Sequence, residues 1–378
     1  MSKSEFDLVI KAGRIFCSST HLDGPGAVGV RGQRIAAAGA EVAGSAEKVL
    51  EFPQALLLPG LVDLHAHPAN AESWCGVPPD REFLARGVTT VLSQGDAGAD
   101  TWDAYCAHTI ARSRIRIMMA LNLAACGESG PGGCLTDLAN VNVEACVRTI
   151  QQHGERIWGV AINTDIPSCG PTDPDQVLAL GLQVADRADV PILFGNRRHP
   201  DASLAHQLSR LRSGDVVTYC LHPDTEGLLR DGHIKDEVWE ARKRGILFDV
   251  GHGMNSFSFD VAERAIADGF YPDTISTDQY RRHVNSKPQH DLARTVSKLI
   301  ASGMPEADAF KRVTTRPADI LGLEGEVGTL KPGACADLTL LQWNPDAPTL
   351  TDVTGATRPG GCWEPVGVVR AGTWVSLV

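Results

Sequence analysis

Pro59-Gly60-Leu61-Val62-Asp63-Leu64-His65-Ala66-His67-Pro68 decides the reading of this chain. It places a Pro-Gly turn before an apolar run that ends in two histidines one residue apart. Side chains alternate faces along a strand, so His65 and His67 project the same way. Imidazole nitrogens are the commonest protein ligands for zinc-like ions, and such a pair at a strand end suits a metal. A His-x-His taken alone is more often a chance loop feature; the turn and the apolar strand leading into it favour the ligand reading.

Upstream of this stretch lie short β-rich runs punctuated by glycine: Phe6 to Ile10, Arg14 to Phe16, Ala27 to Val30, Arg34 to Ala38 and Lys48 to Phe52. Asp337 to Leu341, Val366 to Arg370 and Thr373 to Leu377 resemble them, with turns at Lys331-Pro332-Gly333 and Ala371-Gly372. Matching β segments at both ends predict a small β-sandwich domain formed from residues 1–57 and 326–378, with residues 58–325 inserted between them. The inserted part alternates. Strands are expected at Leu61 to His65, Val88 to Ser93, Ile115 to Leu123, Ile157 to Asn163, Val190 to Gly195, Asp215 to Tyr219, Ile246 to Val250 and Asp273 to Asp278. Helical patterns separate most of them: Thr101 to Arg112, Val143 to His153, Asp175 to Ala188, Ala202 to Leu211, Glu237 to Lys243 and Ser258 to Asp268. Strand then helix, repeated eight times, predicts a (β/α)8 TIM barrel of the α/β class with its active site at the carboxyl ends of the strands. Barrel closure makes the first and eighth strands neighbours. Asp278 therefore meets His65 and His67 at one mouth.

The chain of 378 residues, with 43% hydrophobic content, is long enough for such a barrel and an accessory unit. A formal charge of -11 argues against a nucleic-acid or anionic-membrane partner. The start Met1-Ser2-Lys3-Ser4-Glu5-Phe6-Asp7 lacks the apolar segment of a signal peptide, and no run approaches a membrane span, so a cytoplasmic protein is expected. Ten cysteines without a Cys-x-x-Cys pair read as reduced thiols.

Several motifs together resemble the amidohydrolase superfamily: Pro59 to His67, Gly87-Val88-Thr89-Thr90-Val91, Ser276-Thr277-Asp278, and Gly328-Thr329-Leu330-Lys331-Pro332-Gly333-Ala334-Cys335-Ala336-Asp337-Leu338. Gly98-Ala99-Asp100-Thr101, Gly214-Asp215-Val216-Val217-Thr218 and the segment Gly251-His252-Gly253-Met254-Asn255-Ser256-Phe257-Ser258-Phe259 are similar to a dihydroorotase-like branch of deacetylase-type metallohydrolases. The resemblance runs almost end to end. It implies a first metal on His65, His67 and Asp278, with Asp278 also the general base and proton shuttle. It further implies a second metal held by a strand-four lysine and by strand-five and strand-six histidines. The matching positions here are Ala161, Gly195 and Tyr219, so the second set of side-chain ligands is lost. His199, His222, Cys126 and Glu128 are nearby candidates to complete a shell.

Two histidines and a carboxylate leave an open position, the arrangement of a catalytic zinc. One divalent ion is expected, zinc first, with manganese or iron acceptable to the same ligands. Tyr219, His222 and His252 are candidates to contact substrate, and Arg197 and Arg281 follow the fifth and eighth strands where a guanidinium fork suits a carboxylate. The expected activity is metal-dependent hydrolysis, by a metal-activated water, of an amide, a cyclic amide or an acyl ester on a small anionic substrate. The competing expectation is a chain that has lost hydrolysis and serves binding, assembly or a non-hydrolytic metal reaction such as decarboxylation. A homo-oligomer is compatible with either.

Overall fold

The computed structural model describes residues 4–130, 132–375 and 377. Its N-terminal strands are β1 (Phe6–Cys17), β2 (Leu22–Arg31), β3 (Arg34–Gly39) and β4 (Ala46–Pro59). The barrel strands are β5 (Leu61–Ala66), β6 (Val88–Gln94), β7 (Arg116–Asn122), β8 (Ile157–Asn163), β9 (Ile192–Gly195) and β10 (Val216–Thr218). A small hairpin, β11 (Leu229–Arg230) with β12 (His233–Ile234), precedes β13 (Leu247–Phe248). The C-terminal strands are β14 (Leu338–Asn344), β15 (Leu350–Thr351), β16 (Thr357–Arg358), β17 (Cys362–Arg370) and β18 (Thr373–Val375).

Both termini build one seven-stranded sheet, in the order β18-β17-β14-β4-β1-β2-β3. The runs expected at Phe6 to Ile10 and Arg14 to Phe16 form a single strand, bent by a register shift between Ala12 and Ile15. Gly13 lies in that bend, where a Cβ would sit 2.1 Å from the Pro53 carbonyl oxygen, so the bend needs glycine there. The strand expected from Lys48 to Phe52 continues to Pro59 and pairs with β14, which carries the sheet to the barrel's entrance. Part of the strand expected at Thr373 to Leu377 lies outside the described residues.

The inserted region is a curled parallel sheet, β13-β10-β9-β8-β7-β6-β5. Its two edges are joined by the segment 274–279, which bridges Asp249 at Thr274 and Ala66 at Gln279, both in parallel sense. This is the expected eighth strand, present as a hydrogen-bonded segment rather than a regular strand. Two buried carboxylates explain its irregularity. Asp249 accepts from Thr274 Oγ1 and Ser276 Oγ at 2.6 Å each, and Asp63 accepts from Thr277 N at 3.0 Å and Thr277 Oγ1 at 2.6 Å. Side-chain hydrogen bonds thus replace part of a regular ladder, and they leave Asp278 free to turn into the mouth.

Helices Trp102–His108, Val143–Gln152, Pro174–Ala188, Leu204–Arg210, Asp236–Lys243 and Phe259–Ala267 follow the strands. Asn142 and Asp173 cap two of them by accepting from Ala145 N and Asp175 N, which fixes where those helices begin. The main apolar cluster lies between strands and helices, drawing on Leu121, Ile162, Val177, Val184 and Phe194. A smaller cluster takes Val62, Leu64, Leu92, Ala120, Ala161, Leu193 and Val216 from successive barrel strands and closes on Leu321. That interior packing leaves the carboxyl ends of the strands as the place for polar side chains.

Candidate metal centre

His65, His67 and Asp278 converge, each offering a ligand atom within 4.8 Å of the others; among the described residues they are the one such group of three. His65 Nε2 and His67 Nε2 each lie 3.4 Å from Asp278 Oδ1. Ligands held at about 2.0–2.2 Å around a tetrahedral zinc stand roughly 3.3 Å apart, so these spacings fit such an ion. The β5–β6 register shifts between Asp63 and Ala66, an extra residue on β5 that turns His65 at the strand's end.

The rings are oriented by partners behind them. Thr218 Oγ1 donates to Asp249 at 2.8 Å and accepts from His65 Nδ1 at 2.6 Å. His67 Nδ1–H donates to Asp96 Oδ1 at 3.1 Å, and Ser93 Oγ donates to Asp96 Oδ2 at 2.6 Å. Both Nε2 atoms are thereby left facing Asp278, where on losing their protons to a cation they would offer lone pairs. Burial draws the pKa of His65 down, yet Asp278 and Asp249 outweigh it and raise it to about 9. Burial also favours the neutral acid at Asp278, but the two imidazoles hold its pKa well below the usual carboxylate range. Protons occupy the place of a cation when none is bound. Asp96 and Asp249 escaped the sequence reading, since their role is visible only once β6 and β13 stand beside the histidines.

The resemblance matches a second metal set to Ala161, Gly195 and Tyr219. Ala161 packs in the apolar interior cluster. A Cβ at Gly195 would lie 2.9 Å from Asn163 and 3.0 Å from Tyr219 Cε2, so these two side chains fill the space. Tyr219 is buried, its ring centroid 5.0 Å from that of His65 and its Oη 3.4 Å from His65 Nε2. It adopts φ 64 and Asp278 φ 46, left-handed conformations that cost roughly 1–3 kcal/mol each outside glycine. Burial pushes the Tyr219 phenol well above its ordinary pKa, so it stays protonated.

Other expected contacts fall elsewhere. Arg197 is directed away: it pairs with Asp201 at 2.6 Å and donates to the Thr164 carbonyl. Its neighbour Arg198 is the one at the mouth, 5.2 Å over the Tyr219 ring and bonded to Asp165 and Ser256. Adjacent arginines at a strand end cannot be told apart without the loop's path. Arg281 sits exposed over Trp74 at 5.4 Å. His222 is buried with Nδ1 accepting from Asp224 N at 3.1 Å. His252 has both nitrogens committed, Nδ1 to the Gly253 carbonyl at 2.7 Å and Nε2 to Lys298 Nζ at 2.8 Å. The glycines beside it serve the site rather than the substrate: a Cβ at Gly253 would reach 2.4 Å from Asp278 Oδ2. His199 is 54% exposed and pairs with Asp201. Glu128 is raised by burial against the opposing pull of His67, and Cys134 Sγ donates to it at 3.8 Å. His283, not anticipated, is buried with Nε2 unpartnered, stacked 4.1 Å from His290. All ten cysteines are free. No described helix is long and apolar enough to cross a membrane.

Comparison with known proteins agrees with this arrangement. The profile of the Amidohydrolase family matches residues 258–375. A deacetylase of Enterococcus faecalis is 30% identical over 359 residues, 94% of each chain. The crystal structure of an adenine deaminase superposes with TM-score 0.88 at 28% identity, covering 98% of this chain and 100% of that one. A dihydroorotase structure gives 0.86 at 28% identity, covering 97% and 98%. With His-x-His on β5, an aspartate on the closing segment and relatives alike along nearly its whole length, the chain belongs to the amidohydrolase superfamily.

Proposed function

We propose that the protein is a metal-dependent hydrolase acting on an amide, a cyclic amide or an acyl ester of a small, carboxylate-bearing molecule. The observation that carries this is the pair of Nε2 atoms 3.4 Å from one Asp278 oxygen, each ring fixed by a partner on its Nδ1. His65, His67 and Asp278 would hold one divalent ion, zinc before manganese or iron. Such an ion supplies Lewis acidity, lowering the pKa of water and polarising a carbonyl. Asp278, ionised at neutral pH, takes the proton of the attacking water through its carboxylate and returns it to the departing nitrogen or oxygen. Arg198 stands where a substrate carboxylate would meet a guanidinium, with Arg281 at the rim. The deacetylase relative supports acyl-group chemistry. The residues 1–57 and 326–378 would form a β-sandwich accessory domain to the barrel of residues 58–325, in a cytoplasmic enzyme.

The replacements at Ala161, Gly195 and Tyr219 favour a second reading, in which the fold binds a ligand or runs non-hydrolytic chemistry. Elemental analysis before and after chelation, with N-acyl amino acids, cyclic amides and acetyl esters as substrates, separates the two. One ion per chain and chelator-sensitive turnover are expected. Turnover that survives complete metal removal overturns the hydrolase mechanism, and a metal-free, inactive chain selects the second reading.

A further inference from the structure

We propose that Tyr219 is a catalytic hydrogen-bond donor whose Oη–H serves the substrate oxygen that gains negative charge as the carbonyl is attacked. The inference rests on the metal-dependent hydrolase reading above and adds a group that discharges, without charge, the electrophilic duty of an absent second cation.

The ring is clamped. A Cβ at Gly251 would lie 2.9 Å from Tyr219 N and 3.0 Å from its Cδ1, and one at Gly195 would lie 3.0 Å from Cε2. Both neighbours are therefore glycine where any side chain would displace the tyrosine. The guanidinium of Arg198, 5.2 Å from the ring centroid and tied to Asp165 and Ser256, covers a face of the ring. The left-handed backbone at φ 64 directs the side chain into the mouth. A buried phenol in a fixed position is a preorganised donor, and preorganised donors aimed at developing charge contribute strongly in a site shielded from water.

The Tyr219 hydroxyl lies 3.4 Å from His65 Nε2, the ring nitrogen left facing the site because Nδ1 is used by Thr218. At 3.4 Å that contact is long for a phenol O–H, so the clamp and not the bond holds the oxygen there. An ion on Nε2 would leave that nitrogen no lone pair for the phenol. The phenol proton would then be free for a substrate carbonyl oxygen brought to the ion. No bond at Tyr219 forms or breaks; it donates a hydrogen bond and keeps its proton.

The plain alternative is that Tyr219 only fills volume, and Tyr219→Phe separates the two because it keeps the ring and removes the oxygen. Zinc-loaded wild type and Y219F are titrated with methylphosphonate, a tetrahedral oxyanion, and zinc stoichiometry is measured alongside. The expected result is unchanged zinc content, phosphonate binding weakened at least tenfold, and, on a hydrolysed substrate, kcat lowered about a hundredfold with KM little changed. Equal phosphonate affinity in the two proteins overturns the proposal, whatever the turnover. Weaker phosphonate binding by Y219F than by a wild type that hydrolyses nothing would defeat the hydrolase reading and with it the catalytic role, leaving Tyr219 an oxyanion-binding donor only. A wild type that takes up no zinc defeats both.

Discussion

On one side of the barrel mouth, His65 and His67 turn their Nε2 atoms toward Asp278, and each ring is held from behind by a polar partner linked to a buried carboxylate or being one. On the opposite side, Ala161 joins the apolar interior and Gly195 yields its space to Asn163 and Tyr219. The contrast teaches that a polar seat in a barrel is kept or dismantled as a unit. Converging imidazoles and carboxylates are costly to bury unless each is paired or ligates a cation. On that side Ala161 supplies apolar volume, and Asn163 and Tyr219 fill the space at Gly195. Tyr219 is the exception, a polar tip on an otherwise apolar replacement.

The largest effect that separates the two sides is loss of a retained ligand. His65→Ala or Asp278→Ala is expected to lower kcat/KM about a thousandfold, roughly 4 kcal/mol, and to remove bound zinc while unfolding stays cooperative. Undiminished turnover in either variant would break the comparison, because the retained side would then have no use.

Metal removal gives the next. Without a metal, burial lowers the His65 pKa but Asp278 and Asp249 outweigh it and raise it from its ordinary 6.5 to about 9, so the folded state holds its proton more tightly than the unfolded state. The resulting stability, on the order of 3 kcal/mol, is fully present below pH 6.5 and is lost as pH rises through about 9. Urea titrations of chelator-treated protein across that window should show the decline, and the zinc-loaded protein should lack it. A flat profile in the metal-free protein would mean that protons do not stand in for the cation.

Refilling the dismantled side tests it directly. Gly195→His alone should cost roughly 1–3 kcal/mol of stability, since its ring would press on Asn163 and Tyr219, and metal stoichiometry should stay at its wild-type value. Combined replacement of Ala161 by lysine with histidine at Gly195 and Tyr219 should raise stoichiometry toward two. If elemental analysis shows no gain, the second seat lies elsewhere in the mouth.

The smallest effect concerns orientation. Asp96→Asn should weaken zinc affinity about 10–100-fold by loosening the His67 ring, whereas Asn163→Ala should leave it unchanged. Competition with a chromogenic chelator measures both, and equal losses would erase the distinction between the two sides.

Much of this was legible in the chain. Alternating apolar and helical patterns placed β5 through β10 within a few residues, because strand and helix periods are local properties. The pair His65 and His67 and the Ser276-Thr277-Asp278 end were recognisable as types of residue at fixed spacing. The eighth strand was less regular than its sequence suggested, because Asp63 and Asp249 bind Ser276 and Thr277 from neighbouring strands. Arg197 was favoured over Arg198, and His252 was expected to face substrate, because a loop's path and a distant lysine on the helix Leu292–Ala301 leave no local trace.

The sequence by itself determined the strand and helix order, and it placed His65, His67 and Asp278 as one candidate metal-ligating group. Only the tertiary structure decided which arginine reaches the mouth, which carboxylates orient the imidazoles, and that Tyr219 aims its hydroxyl at His65. The reason is physical: periodicity and residue type act over a few positions, whereas hydrogen bonds from Asp96, Asp249 and Arg198 join residues that only barrel closure brings within reach.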